Sequence, residues 1–275
     1  MSNPLAANQR VHREGTLEAY QHGVELSIQV MHNRLGDPLT VDDLADAAFM
    51  SRFHFTRVFS QVTHVSPGRF LAAVRMQEAK RLLLKTERSV TDVSLDVGYN
   101  SLGTFTRIFA DFVGFPPVRY RQLSRSLLRL TLDQVARFLP SYHPGPKNAP
   151  ITGDIVCQKQ LTLVTVAMFS ETIPRSHPIE CVCLKESLQF SFNHKPRHGC
   201  HVYAVGLVQN ATLEDAFLAN HEKLLIGVAH LSSNIVSDSI SFELRPKRIV
   251  EPPIVVAFPL FIADQYMNQA LSNSG

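Results

Sequence analysis

The sequence predicts two domains of different class: an all-α N-terminal domain built from two helix-turn-helix units, and a mainly-β sandwich C-terminal domain. Three observations carry this. Phe55-Thr56-Arg57-Val58-Phe59 returns fifty residues later as Phe105-Thr106-Arg107-Ile108-Phe109, with Ser51 answered by Ser101, Asp42 by Asp92, Phe49 by Tyr99, Arg69 by Arg119 and Phe70 by Tyr120. Four prolines, Pro140, Pro144, Pro146 and Pro150, crowd one eleven-residue stretch. Beyond it, helical periodicity gives way to short apolar runs. The expected organisation is a tail over 1–15, a helical domain over 16–138, a Pro-rich linker over 139–150 and a β domain over 151–275.

In the first unit, Thr40 reads as an N-cap before acidic Asp42 and Asp43, and Leu44, Ala45 and Ala48 supply the buried stripe of a short helix. A tight turn at Phe49-Met50 leads to Ser51, read as the cap of the next helix. There Phe55, Val58, Phe59 and Val62 fall at i, i+3, i+4 and i+7 and face inward, leaving Phe53, Thr56, Arg57 and Ser60 on the opposite side. Ser66-Pro67 opens a connecting helix that runs to about Thr86; roughly twenty residues span about 30 Å, close to the ~34 Å repeat of the major groove. The second unit runs from Thr91 to Val97, turns at Gly98-Tyr99-Asn100, where Gly98 suits a left-handed helix terminus, and restarts at Ser101. Phe105, Ile108, Phe109 and Phe112 point inward, and Thr104 and Arg107 outward. A further helix is expected from Gln122 to about Phe138.

These residues resemble the AraC/XylS family of bacterial transcription regulators. The likeness covers roughly residues 16–122 and rests on Leu44-Ala45, Ser51-Arg52-Phe53-His54-Phe55 through Phe59, Ser66-Pro67, Phe70, Arg75, Ala79, Leu82-Leu83, Asp92-Val93, Val97-Gly98-Tyr99, Ser101, Phe105, Arg107, Phe109 and Pro116-Pro117 before Arg119-Tyr120-Arg121. The resemblance implies two recognition helices in successive major grooves of double-stranded DNA. It puts Arg52, Phe53, Thr56, Arg57 and Gln61 at DNA in the first, and Ser101, Leu102, Gly103, Thr104 and Arg107 in the second. Arginine can pair bidentately with guanine, Thr or Leu can touch a thymine methyl group, and hydroxyls can bind phosphate. Leu102-Gly103 departs from the long polar side chains common at those positions, so the second unit should read bases weakly. Phe53 and Leu102 fit a core role equally well, Gly103 could be a close-packing position, and His54 reads as a surface residue.

The implied role is a cytoplasmic, nucleoid-associated bacterial regulator, an activator, with RNA polymerase as a further partner and a small-molecule effector or a homodimer formed through the second domain. The alternative is a DNA-tethered interaction protein whose β domain chiefly dimerises or recruits another protein. Charge gives modest support: residues 1–147 carry 18 Lys+Arg against 13 Asp+Glu, and residues 148–275 carry 9 against 11. No run approaches the ~20 apolar residues of a membrane helix, Met1 to Arg13 is too polar for a secretory signal, and the four cysteines are expected as reduced thiols.

In the second half, apolar runs at Ile151–Cys157, Leu161–Phe169, Glu180–Leu184, Leu188–Phe192, His201–Leu207, Leu224–Ala229, Ile240–Leu244 and Ile254–Phe258 predict seven or eight strands, with one short helix from Leu213 to Asn220. A looser likeness to family members that place the DNA-binding domain first rests on Thr152-Gly153, Pro178-Ile179-Glu180-Cys181, Arg245-Pro246 and Pro252-Pro253-Ile254. Cys181 and Cys183 share a strand face, near His177, His194, His198, Cys200 and His201. That spacing lacks the CxxC or HxxxH of zinc sites, so a buried face is expected, with no metal and no cofactor; redox sensing through Cys157 or Cys200 is a minor reading. Phe190, Phe192, Tyr203 and Phe242 could enclose an effector but are expected as core. No phosphate loop, GxSxG or HExxH is present, and no enzymatic activity is expected.

Overall fold

The computed structural model describes residues 4–138, 151–185, 187–194, 196, 198–220, 222–232 and 238–260. The expected Pro-rich linker lies outside them. The first fifteen residues were expected as a tail, but helix α1 already spans Pro4–Asn33, and its Val24, Ile28 and Met31 are fully buried.

Two helix pairs follow. The first is α2 (Val41–Ala47) and α3 (Arg52–Thr63); the second is α5 (Val90–Asp96) and α6 (Leu102–Val113), with α4 (Pro67–Lys85) between them. Both leading helices begin with a capping box: Thr40 with Asp43, and Ser89 with Asp92. Asp92 is therefore the counterpart of Asp43 and not of Asp42. The leading helices start forty-nine residues apart and the trailing helices fifty apart, so the second unit carries one extra residue in its turn. The left-handed residue of the turn is Phe49 (φ 55) in the first unit and Gly98 (φ 80) in the second. By the same register Tyr99 corresponds to Met50: each donates its N–H five residues back, to Ser94 and Ala45 respectively.

Of the expected caps, Ser101 accepts from the Thr104 N–H, whereas Ser51 and Ser66 make no side-chain capping bond. Pro67 in the first turn of α4 and Thr86 at its end fall as the sequence predicts. One correction concerns the segment expected as a single helix from Gln122: α7 (Pro117–Leu127) ends before Leu128–Thr131, and α8 (Leu132–Phe138) restarts beyond. Thr131 and Gln134 cap that restart through side-chain bonds to each other's N–H, which is the local reason for the break.

Aromatic rings run through both units: Phe55, Phe59 and Phe70 in the first, and Phe105, Phe109 and Tyr120 in the second, each in tilted or edge contact with the next. Arg75 of α4 ties the units together. It donates to the Leu35 and Asp37 carbonyls and lies over the Tyr99 ring at 5.7 Å. Gly98 is required here, since a Cβ would sit 2.7 Å from the Arg75 guanidinium and 2.8 Å from the Leu35 oxygen. Lys80, also on α4, is 1% exposed, and burial pulls its ammonium pKa down to about 7.

The second half is β-rich, with two sheets. Strands β1 (Ile151–Val156), β4 (Gln189–Phe192) and β7 (Asp238–Glu243) form one, in the order β4-β1-β7, with β1 and β7 parallel. Strands β2 (Leu161–Phe169), β3 (Glu180–Leu184), β5 (Cys200–Val208), β6 (Leu224–Leu231) and β8 (Arg245–Pro246) form the other, in the order β3-β2-β5-β6-β8. Helix α9 (Leu213–Leu218) sits between β5 and β6. The run Ile254–Phe258, expected as a strand, is buried but joins neither sheet.

The five-stranded sheet is buried on both faces. Val164, Val166, Met168, Val202 and Ala204 pack with Ile151, Phe190, Phe192 and Phe242 of the smaller sheet. The opposite face, Leu163, Ala167, Phe169, Val205, Leu207 and Ile226, joins the helical core. The alternation of β2 and β5 thus serves two cores at once.

Candidate nucleic-acid interface

The outward faces of α3 and α6 follow from what their inward faces bury. Phe55, Val58 and Phe59 are buried within α3, as are Phe105, Phe109 and Phe112 within α6. Helical geometry then turns Arg52, Phe53, Thr56, Arg57 and Gln61, and Ser101, Leu102, Gly103, Thr104 and Arg107, to solvent, and all ten are exposed. Phe53 is 89% exposed and Leu102 43%, so neither is a core residue. A Cβ on Gly103 would meet nothing within 4 Å, so that glycine is not a close-packing position.

The polar groups on this surface are unequally engaged. Arg52 pairs with Asp42 at 3.3 Å. Arg57 meets the His54 imidazole at 3.1 Å, and His54, expected at the surface, is half-buried with its ring 5.0 Å from that of Tyr20. Thr56 spends its hydroxyl proton on the Arg52 carbonyl. Arg107 has no hydrogen-bond or ion-pair partner among the described residues.

One residue of this surface escaped the reading from sequence. Phe49 is 89% exposed and holds φ 55 at the turn leading into α3. A bulky residue in the left-handed region is strained, and a fully exposed phenylalanine is unusual. The available signal was its place at the turn, but the fifty-residue alignment paired it with half-buried Tyr99 and hid it.

The contacts between the helical and β-rich halves run elsewhere. Arg69 of α4 pairs with Glu171, Lys85 with Glu214, and Gln77 donates to the Leu218 carbonyl at 2.5 Å. Arg175 reaches Asp111 of α6 at 2.6 Å, Ser176 donates its N–H to the Asp111 carbonyl at 2.7 Å, and the Tyr120 and Phe217 rings meet edge to face. None of these groups belongs to the ten outward residues. Of the four aromatics considered as an effector enclosure, Phe190, Phe192 and Phe242 fill the space between the sheets, while Tyr203 faces the other way.

Among the described residues no helix is long and apolar enough to cross a membrane. A profile of the helix-turn-helix domain family matches residues 44–123. Over 82 residues the chain is 42% identical to an uncharacterized HTH-type transcriptional regulator of Haemophilus influenzae, covering 30% of this chain and 28% of that protein. Over 95 residues it is 35% identical to the uncharacterized HTH-type transcriptional regulator YobQ of Bacillus subtilis, covering 34% of this chain and 39% of that one. A solved structure of a probable AraC family transcriptional regulator from Rhodopseudomonas palustris is 27% identical over 37% of this chain and 95% of its own, with a TM-score of 0.35. The chain thus spans well under half the length of these two curated relatives. Residues 44–123 carry a helix-turn-helix domain.

Proposed function

We propose that the protein is a sequence-specific regulator of transcription that sets α3 and α6 into successive major grooves of double-stranded DNA. One observation carries this reading: Arg57 and Arg107 occupy equivalent positions on two duplicated helices, both exposed, on a surface that the β-rich half leaves uncovered. Arg57 and Arg107 are the base readers. Arg52, Thr56, Gln61, Ser101 and Thr104 supply phosphate and sugar contacts, and Phe53 and Leu102 give apolar contact to thymine methyl groups. With Gly103 beside Leu102, the second helix positions more than it reads. The β-rich half, two sheets arranged as a sandwich, modulates this activity.

The test is selection of bound sequences from a random duplex pool with the full chain. The full chain is needed because one face of the five-stranded sheet completes the helical core. A motif of two blocks about one helical turn apart is expected. Arg57→Ala should weaken binding to the selected site about tenfold and relax preference at one base pair in one block, and Arg107→Ala should do the same in the other. An unchanged site preference in both folded variants would remove the base-reading role.

A further inference from the structure

A cleft of about 630 Å³ opens where the end of α3 meets the five-stranded sheet. The sheet face that packs on the helices through Leu224, Ile226, Val205 and Leu207 continues past their edge as Tyr203 and Val228, then His201 and His230. His201 and His230 are directly opposed across β5 and β6, with ring centroids 4.6 Å apart. The two imidazoles end an otherwise apolar stripe. Beside β6, Arg245 of β8, paired across the strands with Ile226, and Arg248 beyond it share the single carboxylate of Glu251, so this side of the cleft carries one positive charge in excess. His64 completes the rim as the left-handed C-cap of α3, with φ 60. Val228, 44% exposed, provides the apolar floor.

The volume falls within the ~300–1,000 Å³ of small-molecule sites, and the lining combines apolar walls with a few convergent polar groups. Two guanidinium groups against one carboxylate, together with the imidazole pair as N–H donors, suit an anion. We propose that this cleft binds a small amphipathic anion, a carboxylate on an apolar body, and that its occupancy is felt by both recognition helices. The proposal deepens the regulatory reading in its second part only; binding to the cleft stands independently of DNA.

Two links lead from the cleft to the helices. His64 ends α3 itself. The other runs through Thr172, which meets the His201 ring at 3.3 Å and accepts the Tyr203 hydroxyl proton at its carbonyl. Thr172 lies between Glu171 and Arg175, and these two clamp Arg69 of α4 and Asp111 of α6. A carboxylate that draws His201 toward itself therefore pulls on the loop that joins the connecting helix to the second recognition helix. Burial, with His230 and His64 beside it, holds the His201 pKa below its ordinary value. The other charged groups that line the cleft with this ring are Arg245, Arg248 and Glu251. A bound carboxylate favours the imidazolium, so binding is linked to proton uptake and tightens as pH falls into the imidazole range.

The experiment titrates the full chain with 3-phenylpropionate and octanoate, using their primary amides as uncharged controls, by calorimetry and by thermal unfolding. Either carboxylate should raise the melting temperature where its amide does not. Arg248→Gln and His230→Gln should each weaken carboxylate binding about tenfold while leaving the unliganded melting temperature nearly unchanged. Binding by neither carboxylate, equal binding by the amides, or indifference to both substitutions would overturn the site. Coupling is read separately on the selected duplex: saturating carboxylate should change duplex affinity in the parent, and Glu171→Gln should abolish that change while carboxylate binding persists. Carboxylate binding with unaltered duplex affinity in the parent would overturn the coupling alone. Failure to bind any duplex without ligand would count against the regulatory function and leave the cleft result intact.

Discussion

The two helix-turn-helix units differ most at their turns, and the difference separates what a turn needs for stability from what it exposes. In the second unit the left-handed position is Gly98, the extra residue Asn100 precedes the cap, and the Ser101 hydroxyl caps α6. In the first, the same position is a strained Phe49, the turn is one residue shorter, and Ser51 makes no capping bond. Phe49 and Phe53 both stand 89% exposed at the entry to α3, whereas α6 opens with half-exposed Leu102 and Gly103. The second unit is built for a well-satisfied turn. The first keeps a strained turn and presents aromatic surface, the pattern expected where contact with a ligand outweighs local stability.

The largest expected effect tests whether the units nevertheless share one core. Phe59→Ala and Phe109→Ala should each lower stability by about 3–5 kcal/mol in chemical denaturation, because both rings are fully buried among other aromatics. A clearly smaller loss in one would show that its core collapses around the cavity and that the units are not equivalent. Gly98→Ala comes next, at about 1–3 kcal/mol, since the new Cβ adopts a left-handed backbone and presses on Arg75 and Leu35. Phe49→Gly should act in the opposite direction and gain about 0.5–1 kcal/mol. A loss there would mean the Phe49 ring holds the turn by contacts that outweigh its strain.

The finest distinction lies in the caps. Thr40→Ala should cost about 1 kcal/mol, because its hydroxyl belongs to a complete capping box. Ser51→Ala should be nearly neutral, and Ser101→Ala should fall between, its oxygen being 3.4 Å from the Thr104 N–H. Equal losses at Ser51 and Ser101 would erase the proposed asymmetry between the two turns.

Local structure follows from the sequence wherever a few neighbouring residues decide the outcome. The caps at Thr40 and Ser101, Pro67 in the first turn of α4, its end at Thr86 and the inward stripes of α3 and α6 all depend on spacings within one or two turns of helix. The ten outward residues were legible for the same reason, since burying one face of a helix exposes the other. The register of the repeat was misplaced at α2 and α5, because a one-residue insertion in a turn leaves matched letters on both sides of it. Helix α1 gave a weaker signal, as it carries a narrow stripe of Val24, Ile28 and Met31 among polar residues.

By itself, then, the sequence determined the two helix pairs, their outward faces and the β character of the second half, since each is set by short-range periodicity, capping and backbone preference. Only the tertiary structure decided which face of the five-stranded sheet meets which core, that Tyr203 turns away from Phe190, Phe192 and Phe242, and that Glu171 and Arg175 join α4 to α6. The cleft beside His64 belongs to the same class. Its walls come from residues up to nearly two hundred positions apart in the chain, and no local pattern specifies which of many apolar faces will meet until the packing of both halves selects one.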